Sequence, residues 1–205
     1  MLTGLNAHLD FGFGVTAETY YSSAKYLDDN KDSIQASQVV EMPINFLYRH
    51  SIELALKSLI IIFHKRLDIK YDNDFSDSCK PKIFTGGQWK PLYSCHWIDE
   101  LYKYWKDYLL IPYQITLKQI SQRGDWKECE DVSKAIPIIS KYDRNSSFFR
   151  YPVTENADFD LEKFTMKSVD IEKLHEILQE KASEEISNSK KAGKFIMALK
   201  NEHGE

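Results

Sequence analysis

Apolar residues recur at helical spacing along most of the chain, and polar, turn-forming stretches separate the runs. "TAETYYSSAKYLDDNKD" opens with Thr16, a residue suited to an N-cap. Glu18 and an aromatic stripe of Tyr20, Tyr21 and Tyr26 follow, and the pattern predicts a helix over about 16–29. A second helical pattern begins near Ser33 and runs toward Leu67. Pro43 falls inside it and predicts a kink or break, because its ring removes a backbone donor and clashes with the preceding turn. Residues 68–92 are polar, aromatic and rich in turn formers, which predicts a long ordered loop between the central helices.

A further helix is expected from Ser94, with Ile98, Leu101, Trp105 and Leu109 at helical spacing and Pro112 just beyond. Two weaker helices are expected at about 113–122 and 127–141. "DRNSSFFRYPVTENADFD" reads as an ordered loop. A long amphipathic helix follows from about 169, with Ile171, Leu174, Ile177 and Leu178 on one face and frayed residues at about 195–205. There is no internal repeat. The expectation is one all-α domain over 1–205, with its core at about 16–185.

The most apolar segment, "NFLYRHSIELALKSLIIIFHK" at 45–65, carries a charged stripe. At about 100° per residue, Leu47, Ile52, Leu54, Ala55, Leu56, Leu59, Ile61, Ile62 and Phe63 spread over most of the circumference. Arg49, His50, Glu53 and Lys57 occupy the remaining arc with Phe46, Ile60 and His64. A helix apolar around most of its surface is central to a fold, so its polar arc must meet water in a groove or polar partners from another element. Arg49–Glu53 and Glu53–Lys57 are each spaced i,i+4, which makes a local ion ladder available. The arc is therefore either a solvated face or one wall of a polar groove that binds phosphate or a base.

Composition narrows the classes. A formal charge of −4 over 205 residues gives no global electrostatic case for nucleic acid, although a local basic patch remains open. No apolar run reaches the roughly 18 residues of a membrane span. "MLTGLNAHLDFGFG" does not read as a signal peptide. Cys79, Cys95 and Cys129 are odd in number and irregular in spacing, as expected of reduced thiols in a cytoplasmic protein. Gly and Pro are scarce, at 8 and 6, which argues against a many-turned β fold.

Other residues offer chemistry. His96, expected just inside the start of the helix from Ser94, either caps backbone donors or faces the charged stripe. In "FFRYP", Pro152 holds Tyr151 extended. Arg150 is expected to return to the stripe and pair with Glu53. His50 and Glu53 share a helix face with metal-ligand spacing and could hold a metal together with His96, but Arg49 and Lys57 oppose a cation, so no metal is expected. No C-x-x-C is present, Cys129 has no partner pattern, and "TGGQWK" at 85–90 reads as a turn in a long loop, so no cofactor is expected either. Lys190, Lys191 and Lys194 read as a solvated helix face.

"YRHSIELALKSLI", then "HWIDELYKYW" and "FFRYP", together resemble the HEPN superfamily (higher eukaryotes and prokaryotes nucleotide-binding domains), over about residues 35–155. The resemblance implies a helical bundle, frequent homodimers and association with toxin–antitoxin or phage-defence systems. Many such proteins are metal-independent endoribonucleases, whose site pairs an Arg with a His across four to six intervening residues and is shared by two subunits. Here the nearest segment is "RNSSFFRYP", with Arg144 and Asn145. Phe149, Arg150 or Tyr151 stands where His is expected, and no Arg is followed by a His at that interval. Cleavage by the RNA's own 2′-hydroxyl needs a base, which His suits, and a cation for the phosphorane charge, which Arg suits.

The resemblance therefore implies a nuclease only if His50 or His96 reaches the groove of Arg144 and Arg150. The catalytic candidates are His50, His96, Arg144 and Arg150. The binding candidates are Arg49, Glu53, Lys57 and Tyr151. The partners expected are a second copy, RNA or a nucleotide, and a protein such as an antitoxin, with no membrane. The alternative is a non-catalytic helical interaction module whose charged stripe is a structural ion network.

Overall fold

The computed structural model describes residues 9–34, 40–120, 126–128 and 130–146, and these are mainly helical. Helix α1 (Phe13–Asp29) begins three residues before Thr16. Its start is set by Asp10, whose Oδ1 accepts the Gly12 amide at 3.0 Å and whose Oδ2 accepts the Gly14 amide at 2.6 Å. Thr16 does not cap: its hydroxyl donates to the Gly12 carbonyl at 2.8 Å, one turn back. Ser58 of the next helix also donates to Asp10 Oδ2, at 2.5 Å. Gly14 is required at this junction, because a Cβ there would lie 2.8 Å from Asp10 Oδ2 and 3.2 Å from Ser58 Oγ. Ala17 and Ala24, seven apart and fully buried, lie on the packed side of α1.

Helix α2 (Glu41–Arg66) lies along α1. It does not run from Ser33: a 3₁₀ turn at Lys31–Ser33 ends in extended Ile34. Pro43 lies in the first turn of the helix and does not break it, since a first-turn amide has no intrahelical acceptor to lose. Every residue from Ser51 to His64 is buried, so α2 is the central element that its apolar circumference predicts.

The connection at 68–92 holds a hairpin as well as loop. Strands β1 (Lys82–Thr85) and β2 (Gln88–Pro91) pair antiparallel, with Ile83 opposite Lys90 and Phe84 opposite Trp89. Gly86 and Gly87 turn the chain at φ 59° and 78°, left-handed values that the two-residue hairpin turn requires. Ile83 is fully buried. Phe84 and Trp89 meet edge-on at 5.5 Å and continue onto Tyr108 and Tyr104 of the following helix at 6.0 and 6.2 Å.

That helix begins later than Ser94. After a 3₁₀ turn at Leu92–Ser94, α3 (Ile98–Tyr104) runs directly into a π-helical segment, Trp105–Leu110. Helices α4 (Gln114–Ile120) and α5 (Glu130–Asp143) follow. Phe63 of α2 meets Trp105 and Trp126 edge-on, each at 6.1 Å. No helix among the described residues is long and apolar enough to cross a membrane. The "FFRYP" segment, Cys129, the helix expected from about 169 and the Lys190–Lys194 cluster lie outside the described residues.

His64, fully buried near the end of α2, ties this helix to its neighbours. Its Nδ1 proton goes to the Ile69 carbonyl at 2.8 Å, and its Nε2 accepts the Tyr104 hydroxyl at 2.9 Å. Tyr71 stacks on the ring at 3.8 Å. Burial pushes the imidazole down to about 4, against the backbone hydrogen bond to Ile69, which favours the charged form.

Two predictions follow from these contacts. Gly14→Ala should cost about 1–3 kcal/mol through the collision with Asp10, read as a melting temperature several degrees lower. The second concerns pH. Between about 6.5 and 4 the unfolded chain binds a proton at residue 64 that the native state refuses. This stability is complete above 6.5 and falls with acidification, by about 2 kcal/mol from pH 7 to pH 5. Urea unfolding at both pH values should show this loss in wild type, and His64→Gln should abolish that share of it.

Candidate functional site

The charged stripe is not a solvated face. The side chains of Arg49 and Glu53 are 0% exposed and that of Lys57 is 3% exposed. Partners from other elements make this possible. Glu53 Oε2 accepts from Arg49 Nη1 at 2.5 Å, and Glu53 Oε1 accepts from Lys57 Nζ at 2.8 Å. His96 Nδ1 lies 2.9 Å from the same Oε1. Lys57 also donates to the Tyr93 carbonyl at 3.3 Å. Asp143, at the end of α5, supplies the second acid: Arg49 Nε lies 3.2 Å from its carbonyl oxygen and 3.4 Å from its Oδ2. Two cations and two carboxylates cancel, which is what lets such charges sit in the core.

Burial alone would raise the Glu53 carboxyl. The neighbouring His50, Lys57 and Arg49 outweigh it and hold the group well below the usual carboxylate range. His50 Nδ1 stands 3.8 Å from Glu53 Oε2, too far for a hydrogen bond, so we assign the larger share to the two cations at contact distance. His50 packs instead with the α1–α2 contact, edge-on to Tyr20 at 4.6 Å and stacked on Phe46 at 5.5 Å.

Arg49 also joins two backbones that are far apart in sequence. Its Nη2 donates to the His96 carbonyl, and the Arg144 carbonyl lies 3.4 Å from the same nitrogen. His96 precedes α3, on extended chain, and so is not inside that helix; Arg144 follows α5. One buried guanidinium therefore brings the two residues together at the rim of the network. Their side chains reach solvent: His96 is 50% exposed and Arg144 is 53% exposed. The Arg144 guanidinium lies 4.9 Å from the centroid of Trp97 and contacts Asp99 at 3.2 Å and Glu100 at 3.6 Å. Glu100 also accepts the Thr85 hydroxyl at 2.5 Å, tying the hairpin to this rim. Lys90 stands 5.8 Å from the Trp97 ring.

The structure thus gathers Arg49, Glu53, Lys57 and His96, with the Arg144 backbone, and leaves His50 at the edge. Arg150 and Tyr151 lie outside the described residues. The two Glu53 oxygens, expected to receive Arg150, already meet Arg49, Lys57 and His96. Asp143 and Trp97 were not legible as participants. Asp143 lies 94 positions from Arg49, and nothing local marks it. Among the described residues, no group of three or more His, Cys, Asp or Glu is arranged to hold a metal ion. The chain matches no family model, no curated protein and no solved structure.

The balance of charges predicts an asymmetric mutational response. Glu53→Leu should cost about 3–5 kcal/mol in urea unfolding, because it strands Arg49 and Lys57 in the core. His96→Ala, at the half-exposed rim, should cost no more than about 1 kcal/mol.

Proposed function

We propose that the protein is a HEPN-like nucleotide- or RNA-binding protein, homodimeric and cytoplasmic, of a bacterial defence or toxin–antitoxin type. In this reading its helices form a HEPN-like bundle, and the rim beside Trp97 carries metal-independent ribonuclease chemistry. One observation carries the proposal: a half-exposed imidazole and a half-exposed guanidinium, His96 and Arg144, rise from backbones pinned by one nitrogen of Arg49. The site lies on the rim and not in the stripe, since Arg49, Glu53 and Lys57 are too buried to touch a ligand.

His96 takes the place of the histidine missing from "RNSSFFRYP". Its ring receives the 2′-hydroxyl proton, the 2′-oxygen forms a bond to phosphorus, and the bond to the 5′-oxygen breaks. The proton then passes from the imidazolium to the leaving 5′-oxygen. Arg144 exchanges its contact with Asp99 for a phosphate oxygen, and its fork of donors lets it keep Glu100 meanwhile. The second reading, a non-catalytic interaction module, is favoured by the charge balance of the buried network, which needs no ligand to explain it.

RNA cleavage by purified protein in EDTA separates the two. Wild type should cleave, and His96→Ala and Arg144→Ala should each lose on the order of 100-fold or more while remaining folded, with melting temperatures within about 4 °C of wild type. A folded wild type that cleaves nothing would leave the interaction module.

A further inference from the structure

We propose that Glu53 is the positioning residue of this rim: its buried carboxylate holds His96 as the Nδ1-protonated tautomer and leaves the Nε2 lone pair on the exposed side of the ring. The catalytic meaning of this tautomer rests on the ribonuclease reading, but the tautomer itself does not.

The argument begins with what Glu53 can do. An ionised carboxylate only accepts, so the nitrogen 2.9 Å from its Oε1 must carry the hydrogen. Arg49 and Lys57 bond the same carboxylate at 2.5 and 2.8 Å, which fixes its orientation. Arg49 also holds the His96 carbonyl, so the residue is gripped through main chain and side chain together. A neutral imidazole with one nitrogen protonated presents a lone pair on the other. Free histidine in water favours the opposite tautomer, which would offer an N–H to an incoming hydroxyl and could take no proton from it. The same carboxylate also stabilises the imidazolium formed once the proton is taken. His50, 3.8 Å from the other oxygen, makes no comparable bond, so the two histidines should differ.

The first measurement needs no activity. In the full chain labelled with ¹⁵N-histidine, two-bond ¹H–¹⁵N correlations at pH 8.5 report each ring's tautomer, and His96→Asn assigns the signal. Protonated Nδ1 with unprotonated Nε2 at His96 is expected. Protonated Nε2, or averaged nitrogens, would overturn the proposal whether or not the protein cleaves RNA. The second measurement compares cleavage in EDTA by Glu53→Gln, provided it remains folded. The expected result is a fall in kcat on the order of 100-fold, with a displaced pH profile and little change in KM. Wild-type kcat and pH profile in the folded variant would equally overturn it. A wild type that shows the Nδ1-protonated ring but no cleavage would support the positioning and refute the ribonuclease reading alone.

Discussion

Glu53 carries a negative charge in the middle of a helix that is apolar around most of its surface, where a lone charge would cost several kcal/mol. Everything near it answers that cost. Arg49 and Lys57, one turn to either side, supply the countercharge from the same helix. They bring one positive charge too many, and Asp143 returns the balance from the far end of α5. Backbone carbonyls at 93, 96, 143 and 144 take donors that the two carboxylates leave over. The result ties α2 to the chain before α3 and to the chain after α5, so the network is a set of tertiary joints as much as a set of ion pairs.

The rim has different physics. His96, Trp97 and Arg144 stand where the network meets water, with Lys90 and the Asp99–Glu100 pair around them. Their positions are inherited from the interior, because Arg49 holds the backbones of His96 and Arg144. Their side chains reach solvent, as the buried ones do not. The buried charges balance one another, and an imidazole and a guanidinium stand half-exposed at the edge of that network.

Much of the helical layout was legible. Aromatic and aliphatic spacing marked α1, α2 and the helix containing Ile98, Leu101 and Trp105, since burial of a helix face imposes that period. Boundaries were less so. Asp10 starts α1 through its own side chain and through Ser58, which is 48 positions away, so Thr16 was a plausible but wrong cap. Pro43 fits a helix start as well as a kink, and only the chain before it distinguishes them. The hairpin had a local signal in "FTGGQW", two glycines between apolar residues, but a strand pair this short is fixed by docking on Tyr104 and Tyr108.

By itself the sequence determined that α2 is central and that Arg49, Glu53 and Lys57 share one arc of it. Helical periodicity places residues on a common face whatever surrounds them. Only the tertiary structure decided what that arc meets. A charged stripe reads the same whether water or Asp143 lies opposite, because the deciding partner is contributed 94 positions away and leaves no trace in the local pattern. For the same reason the sequence left His96 either capping backbone donors or facing the charged stripe, and only the fold sets its Nδ1 2.9 Å from Glu53 Oε1. The side of a ring that faces a carboxylate is a property of the fold and of no single segment.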